Sequence, residues 1–171
     1  MVNDKCIIAE CFVDTRVANI LGGNNASFNH QKNNSNVARV MIEKLTDDFA
    51  FGIVDNDKKQ PEYFSQFNIT ISSNENIALK KHHSRKHYLV FIKPAMERFL
   101  LNDAQAIQIN LLDYDLSSDL DGLKNITKKQ EIHKSTEFTR FIKKLKNENA
   151  PSITILKSWI DEFRNNQFEN I

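Results

Sequence analysis

Asp55 and Asp57 flank Asn56 at the end of an apolar run, Phe49-Ala50-Phe51-Gly52-Ile53-Val54. An earlier apolar run, Cys6-Ile7-Ile8-Ala9, ends in Glu10. Two positions apart on a turn leaving a strand, Asp55 and Asp57 can face one ion. Glu10 reaches the same ion if the two runs are neighbouring strands. Clustered carboxylates repel one another unless protons or a cation neutralise them. The hard, oxygen-liking ion that keeps waters for a substrate phosphate is Mg²⁺, with Mn²⁺ a close substitute. Held there, such an ion orients a phosphodiester and stabilises charge on its oxygens. Asp-Asn-Asp is also an ordinary turn composition, so the triplet draws its meaning from Glu10 in phase with it.

Other segments carry groups suited to the same chemistry. In Lys93-Pro94-Ala95-Met96-Glu97, a strand ends and a helix begins. Glu97 there is a candidate metal ligand or general base, and Lys93 a candidate partner for a phosphate oxygen. A Glu near a helix N-terminus is also favourable on electrostatic grounds alone. The run Lys80-Lys81-His82-His83-Ser84-Arg85-Lys86-His87 is densely basic. Lys80, Lys81, Arg85 and Lys86 are candidates for salt-dependent contact with nucleic-acid phosphates, or simply a solvated loop between two strands. His82, His83 and His87 lack the Cys or carboxylate partners of a metal site. His30 and Lys32 lie in a polar connection that can return to the same sheet edge, where they are candidate substrate contacts.

These groups need a scaffold. Lys5 to Glu10 reads as a buried strand. Phe12, Val13, Val17, Ile20 and Leu21 then recur at helical spacing, and Gly22-Gly23 ends that helix. Ser35 or Asn36 is expected to cap a second helix carrying Val37, Val40, Met41 and Leu45. Phe49 to Val54 reads as a strand buried on both faces. Residues 67–72 alternate as a half-buried strand does, and Tyr88 to Ile92 is a further strand. Pro94 suits the first turn of a helix through Leu101. Alternation of this kind predicts an α/β fold, a mainly parallel sheet with flanking helices. The carboxyl edge of such a sheet is where ligands gather. Ala104 to Leu112 reads as helical and 113–125 as acidic and turn-rich. Residues 137–145 and 153–168 read as amphipathic helices parted by Pro151. The division expected is an α/β core over 1–102 and a mainly helical extension over 103–171, packed on or beside it.

With 171 residues the chain has room for one sizeable core. The net charge of +1 means that any nucleic-acid surface must be local. Two cysteines, Cys6 and Cys11, form no disulfide framework, so the chain reads as cytoplasmic with reduced thiols. No segment reads as a signal peptide, and no run approaches roughly 18 apolar residues, so no membrane span is expected.

Ile7-Ile8-Ala9-Glu10 together with Gly52-Ile53-Val54-Asp55-Asn56-Asp57 resembles the Toprim domain of topoisomerases, primases and nucleases. The stretch 92–101 is similar to a segment of small stand-alone, RloB-like Toprim proteins of bacterial defence loci. The likeness covers residues 5–102. It implies that Glu10 acts as general acid/base or metal-adjacent acid, and that Asp55 and Asp57 hold Mg²⁺. One departure is Cys11, where that family usually has Gly directly after the Glu.

Three readings follow. The first is a Mg²⁺-dependent Toprim-like nuclease or phosphodiester-transfer protein acting on nucleic acid. The second is a non-catalytic subunit or interaction module of a defence or repair complex, with a protein partner. The third is a receiver-like phosphoacceptor centred on Asp55. Receivers want adjacent acids after the first strand, whereas here Glu10 stands alone and Asp14 is expected inside the first helix.

Overall fold

The computed structural model describes residues 3–56, 59–165 and 167. Three parallel strands form its centre: β1 (Ile7–Ala9), β3 (Ala50–Asp55) and β6 (His87–Ile92). A two-residue strand, β2 (Asn29–His30), pairs parallel with β1. On the other side β5 (Ile77–Lys81) and β4 (Ile69–Ser73) add an antiparallel meander, giving the order β2-β1-β3-β6-β5-β4. The fold is α/β with a mainly parallel sheet flanked by helices, as the alternation predicts.

The central strands are buried on both faces, so their side chains sort into two cores. Ile7, Phe51, Ile53, Tyr88 and Val90 pack beneath α1 (Phe12–Gly22), α3 (Met96–Ala106), α5 (Thr136–Asn147) and α6 (Pro151–Arg164). Ile8, Val54, Leu89 and Phe91 face α2 (Asn34–Glu43) and a 3₁₀ turn over Glu62–Gln66. Gly52 lets α2 come close: a Cβ there would stand 2.5 Å from a Leu89 methyl and 3.3 Å from Val37. The C-terminal helices belong to the first core. Phe163 of α6 lies on Phe51 at 5.0 Å between ring centroids and on Tyr88 at 6.4 Å. The next residue, Arg164, reaches Asp4 Oδ1 at 3.0 Å and the carbonyl of Gly22 at 2.6 Å.

Several local expectations are corrected. Asn33, not Ser35 or Asn36, caps α2, its side chain accepting from the Asn36 N–H at 2.9 Å. Pro94 precedes α3, whose N-cap is Ala95. α3 runs on to Ala106 and stops, so 104–112 is not one helix, and residue 102 lies within α3. The acidic stretch 113–125 holds the start of a helix, α4 (Leu120–Thr127), capped by Asp119. Lys80 and Lys81 sit in β5 rather than in a loop. β4 is an edge strand, mostly exposed rather than half-buried, with Ile69 43% accessible. Gly23 ends α1 as expected, at φ +96°, which suits glycine. Among the described residues, no helix is long and apolar enough to cross a membrane.

Candidate active site

The chain leaves β1 for β2 on one side and returns through α2 to β3 on the other, so the strand order reverses between β1 and β3. The crevice outside the carboxyl ends at such a reversal is the place where α/β sheets hold ligands. Glu10 and Asp55 stand there. Ala9 pairs with Ile53, and the Glu10 N–H extends the ladder to the Ile53 carbonyl at 3.1 Å. The Asp55 N–H then donates to Glu10 Oε2 at 3.0 Å. Asp55 Oδ1 in turn accepts from the Met96 N–H at 3.0 Å, tying the end of β3 to the first turn of α3. Glu97, next along that turn, accepts from Thr127 Oγ1 of α4 at 2.5 Å. All three carboxylates are buried.

A fourth acid joins them. Asp14 is fully buried in the first turn of α1. Its Oδ2 accepts from the Cys11 N–H at 3.1 Å, but its Oδ1 has no hydrogen-bond partner among the described residues. Burial, with the nearby charges of Glu10 and Glu97 adding to it, pushes the Asp14 carboxyl up to about 7, against the pull of its Cys11 hydrogen bonds. Burial also drives the Cys11 thiol upward, reinforced by Asp14 and Asp55, which favours the neutral thiol. Cys11 itself sits at φ −130°, extended backbone open to any residue, so this turn does not require the glycine.

Two of these acids floor a cavity of about 440 Å³. Asp55 and Glu97 line it together with Phe12, Lys32, Lys124 and Lys128. Acid floor and basic rim therefore come from both halves of the chain, since Lys124, Thr127 and Lys128 belong to the C-terminal extension. Behind Phe12, the His30 ring stacks at 4.5 Å and 13°, its Nδ1 2.9 Å from Thr15 Oγ1. A larger cleft of about 620 Å³ is bordered by Asn76, Asn102 and Asp103. There both Asp103 oxygens are engaged in capping α6, at 3.0 Å from the Ser152 N–H and 2.7 Å from that of Ile153.

The other sequence candidates fall elsewhere. Lys93 is turned away from the cavity, its ammonium donating to Ser73 Oγ at 2.9 Å and the Asn74 carbonyl at 2.7 Å. Asp57 lies outside the described residues. Lys80, Lys81, Arg85 and Lys86 gather at the opposite end of the sheet, where His87 pairs with Ala50, the first residue of β3. Asp55 is the last residue of β3, five strand rises away, or about 16 Å. Each of the four cations lies over an aromatic ring, Lys86 on Phe49 at 5.0 Å and Arg85 on Tyr63 at 5.8 Å among them. His82 and His87 of that run are structural. His82 Nδ1 accepts from the Ser84 and Arg85 N–H groups, both at 3.1 Å, and Nε2 donates to Gln66 at 3.0 Å.

Missed from sequence were Asp14 as a member of the acid cluster and the lysines of α4. Lys124 and Lys128 are four apart, a helical-face spacing, but Lys124 lies in the stretch 113–125, whose acidic composition favours turns. Among the described residues no three His, Cys, Asp or Glu side chains gather around one metal position. No protein family, curated protein or solved structure matches the chain.

Proposed function

We propose that the chain is a Mg²⁺-dependent, Toprim-like nuclease or phosphodiester-transfer protein acting on nucleic acid. The observation that carries this is the join of Glu10 to Asp55 at 3.0 Å across the strand-order reversal, beneath a cavity rimmed by lysines. The donor set suits the ion. Its acids are carboxylates, and Asp14 Oδ1 is a buried oxygen lacking a partner among the described residues. The acids do not form a closed cage, and Mg²⁺ does not need one: it binds through one or two carboxylates, waters and substrate phosphates. Asp55, which lines the cavity, would hold it, with Glu10 bonded to the Asp55 N–H as the adjoining acid and Asp57 next but one in sequence. When bound, it supplies Lewis-acid stabilisation of the phosphoryl oxygens.

The chain's own groups do the rest. Lys32, Lys124 and Lys128 draw the phosphodiester into the cavity and offset its charge. Glu97, held by Thr127, sets the far wall. The cluster carries a carboxyl that titrates near neutrality, Asp14, and groups of that kind are matched to proton transfer at physiological pH. Glu10, beside it, takes the acid/base role.

Titration calorimetry with Mg²⁺ or Mn²⁺, on wild type and on Asp55→Asn/Asp57→Asn, tests this. Binding that vanishes in the double variant supports the site. No binding in wild type, with or without nucleic acid, sinks it. One observation favours a second reading, a non-catalytic module with a protein partner: Glu10, Asp55 and Glu97 each accept a hydrogen bond that holds the fold together. A wild type inert toward metal and nucleic acid, yet co-purifying with one stoichiometric partner, would favour that reading.

A further inference from the structure

The geometry points to an unpaired nucleotide as the occupant of the acid-floored cavity, its base stacked on Phe12 and its phosphate among Lys32, Lys124 and Lys128. This deepens the proposed function and rests on it for the chemistry. The lysines and acids explain attraction for a phosphate and a cation, but not why an aromatic ring shares the wall with them.

That ring is held in place. His30 lies parallel to Phe12 at 4.5 Å, and His133 of the C-terminal extension meets the two rings edge-on at 5.4 and 6.1 Å. Thr15 Oγ1 donates to the Cys11 carbonyl at 2.7 Å, so it accepts from His30 Nδ1–H, and the backing ring is fixed by α1 itself. With His30 covering one face, Phe12 turns to the cavity with its orientation already set, and little conformational freedom is lost when a base docks. A base inside a duplex has both faces occupied by its neighbours and cannot offer one to Phe12. A base at a strand end, loop or single strand can. The cavity of about 440 Å³ falls within the range of pockets for small ligands. It therefore admits one nucleotide, not a duplex.

The test is fluorescence anisotropy with the full chain. The probes are a labelled thymidine oligonucleotide of roughly 12 nucleotides, the same strand annealed to its complement, and adenosine monophosphate as competitor. Ca²⁺ replaces Mg²⁺ to hold off turnover. The single strand should bind more tightly than the duplex. Phe12→Leu should weaken it roughly tenfold, and Phe12→Trp should restore it. Competition by the mononucleotide at similar concentration would identify free nucleotide as the ligand; a much tighter strand would identify nucleic acid. Equal affinity of wild type and Phe12→Leu, tighter binding of duplex, or no binding of either probe overturns the inference. Should Phe12→Leu fail to fold, photo-crosslinking of an iodouracil strand to wild type decides: attachment at Phe12 supports stacking, attachment only elsewhere overturns it. Mg²⁺ calorimetry on the same proteins keeps the two readings apart. Metal binding with no effect of Phe12 defeats the stacking alone, and stacking without metal binding defeats the catalytic reading alone.

Discussion

The two ends of the parallel sheet treat buried polar groups in opposite ways. At the amino end His82 uses both ring nitrogens, and His87 accepts from Tyr63 at 2.6 Å while donating to the Leu45 carbonyl at 2.7 Å. At the carboxyl end four acids crowd together, and Asp14 Oδ1 is buried without a partner among the described residues. The amino end has an orphan too, Arg85 Nη1. It belongs to a guanidinium with five N–H donors, whereas Asp14 leaves one of only two oxygens unmet. A network that closes on itself holds a fold together; one left open is destabilising unless something arrives to close it. The difference separates a structural cluster from a candidate site more sharply than residue type does, since both ends are rich in titratable side chains.

The largest effect should come at the open end. Glu10→Gln and Asp55→Asn keep an acceptor oxygen for the Asp55 and Met96 N–H groups. Each is expected to lower metal-dependent cleavage by roughly a hundredfold or more, with the melting temperature little changed. Cleavage at the wild-type rate in both would erase the contrast. Next is the closed end: His87→Leu strands Tyr63 Oη and the Leu45 carbonyl and should destabilise the fold by about 2–3 kcal/mol. Urea unfolding measures this, and Mg²⁺ affinity should not move.

Two further predictions concern charge and pH. Asp14→Asn should stabilise the metal-free protein by about 1 kcal/mol at neutral pH, because it removes a buried carboxylate that repels two others. A lower urea midpoint than wild type would mean that Asp14 is a structural cap and nothing more. The pH dependences also oppose one another. Burial lowers His82 from 6.5 to about 4, so its contribution to stability is present above 6.5 and is lost as pH falls toward 4. Asp14 runs the other way. Raised from 3.8 to about 7, it favours the fold below 3.8 and loses that as pH rises through 7. In wild type the two offset each other over the acidic range. In Asp14→Asn that offset is gone, and stability should fall more steeply on acidification, by up to about 1.4 kcal/mol per pH unit. Smallest of all should be neutralising Lys80, Lys81, Arg85 and Lys86 to Gln, which should change oligonucleotide affinity less than Lys124→Gln/Lys128→Gln does. The reverse order would move the nucleic-acid surface to the amino end.

Much of this was legible beforehand. Continuous apolar runs gave β3 and β6, glycines marked the end of α1, and Glu10 and Asp55 could be placed on one edge because both terminate apolar strands. What stayed hidden depends on tertiary neighbours. Ile77-Ala78-Leu79 is too short an apolar run to announce β5, which exists by pairing with β6. Asp14 has the pattern of an ordinary helix-start acid, and only the approach of Glu10 and Glu97 makes it unusual. Lys93 sits at the expected strand end, yet its long side chain follows the β4–β5 hairpin, a direction that spacing does not encode. α4 was masked by acidic, turn-favouring residues that serve as its cap and first turn.

The seating of Phe163 on Phe51 and Tyr88 has a consequence for how the protein is made. Synthesis delivers the strands well before α6, so the part of the first core that α6 covers stays open while more than sixty residues beyond α3's start are being added. The strands cannot commit to their final packing until residue 164 has cleared the ribosome, and until then they present apolar surface that invites wrong partners. We expect nascent chains arrested before α6 emerges to be cut readily by protease, and those arrested after it to resist. The candidate site, which takes Lys124, Thr127 and Lys128 from beyond residue 120, is completed long after its acids have been made.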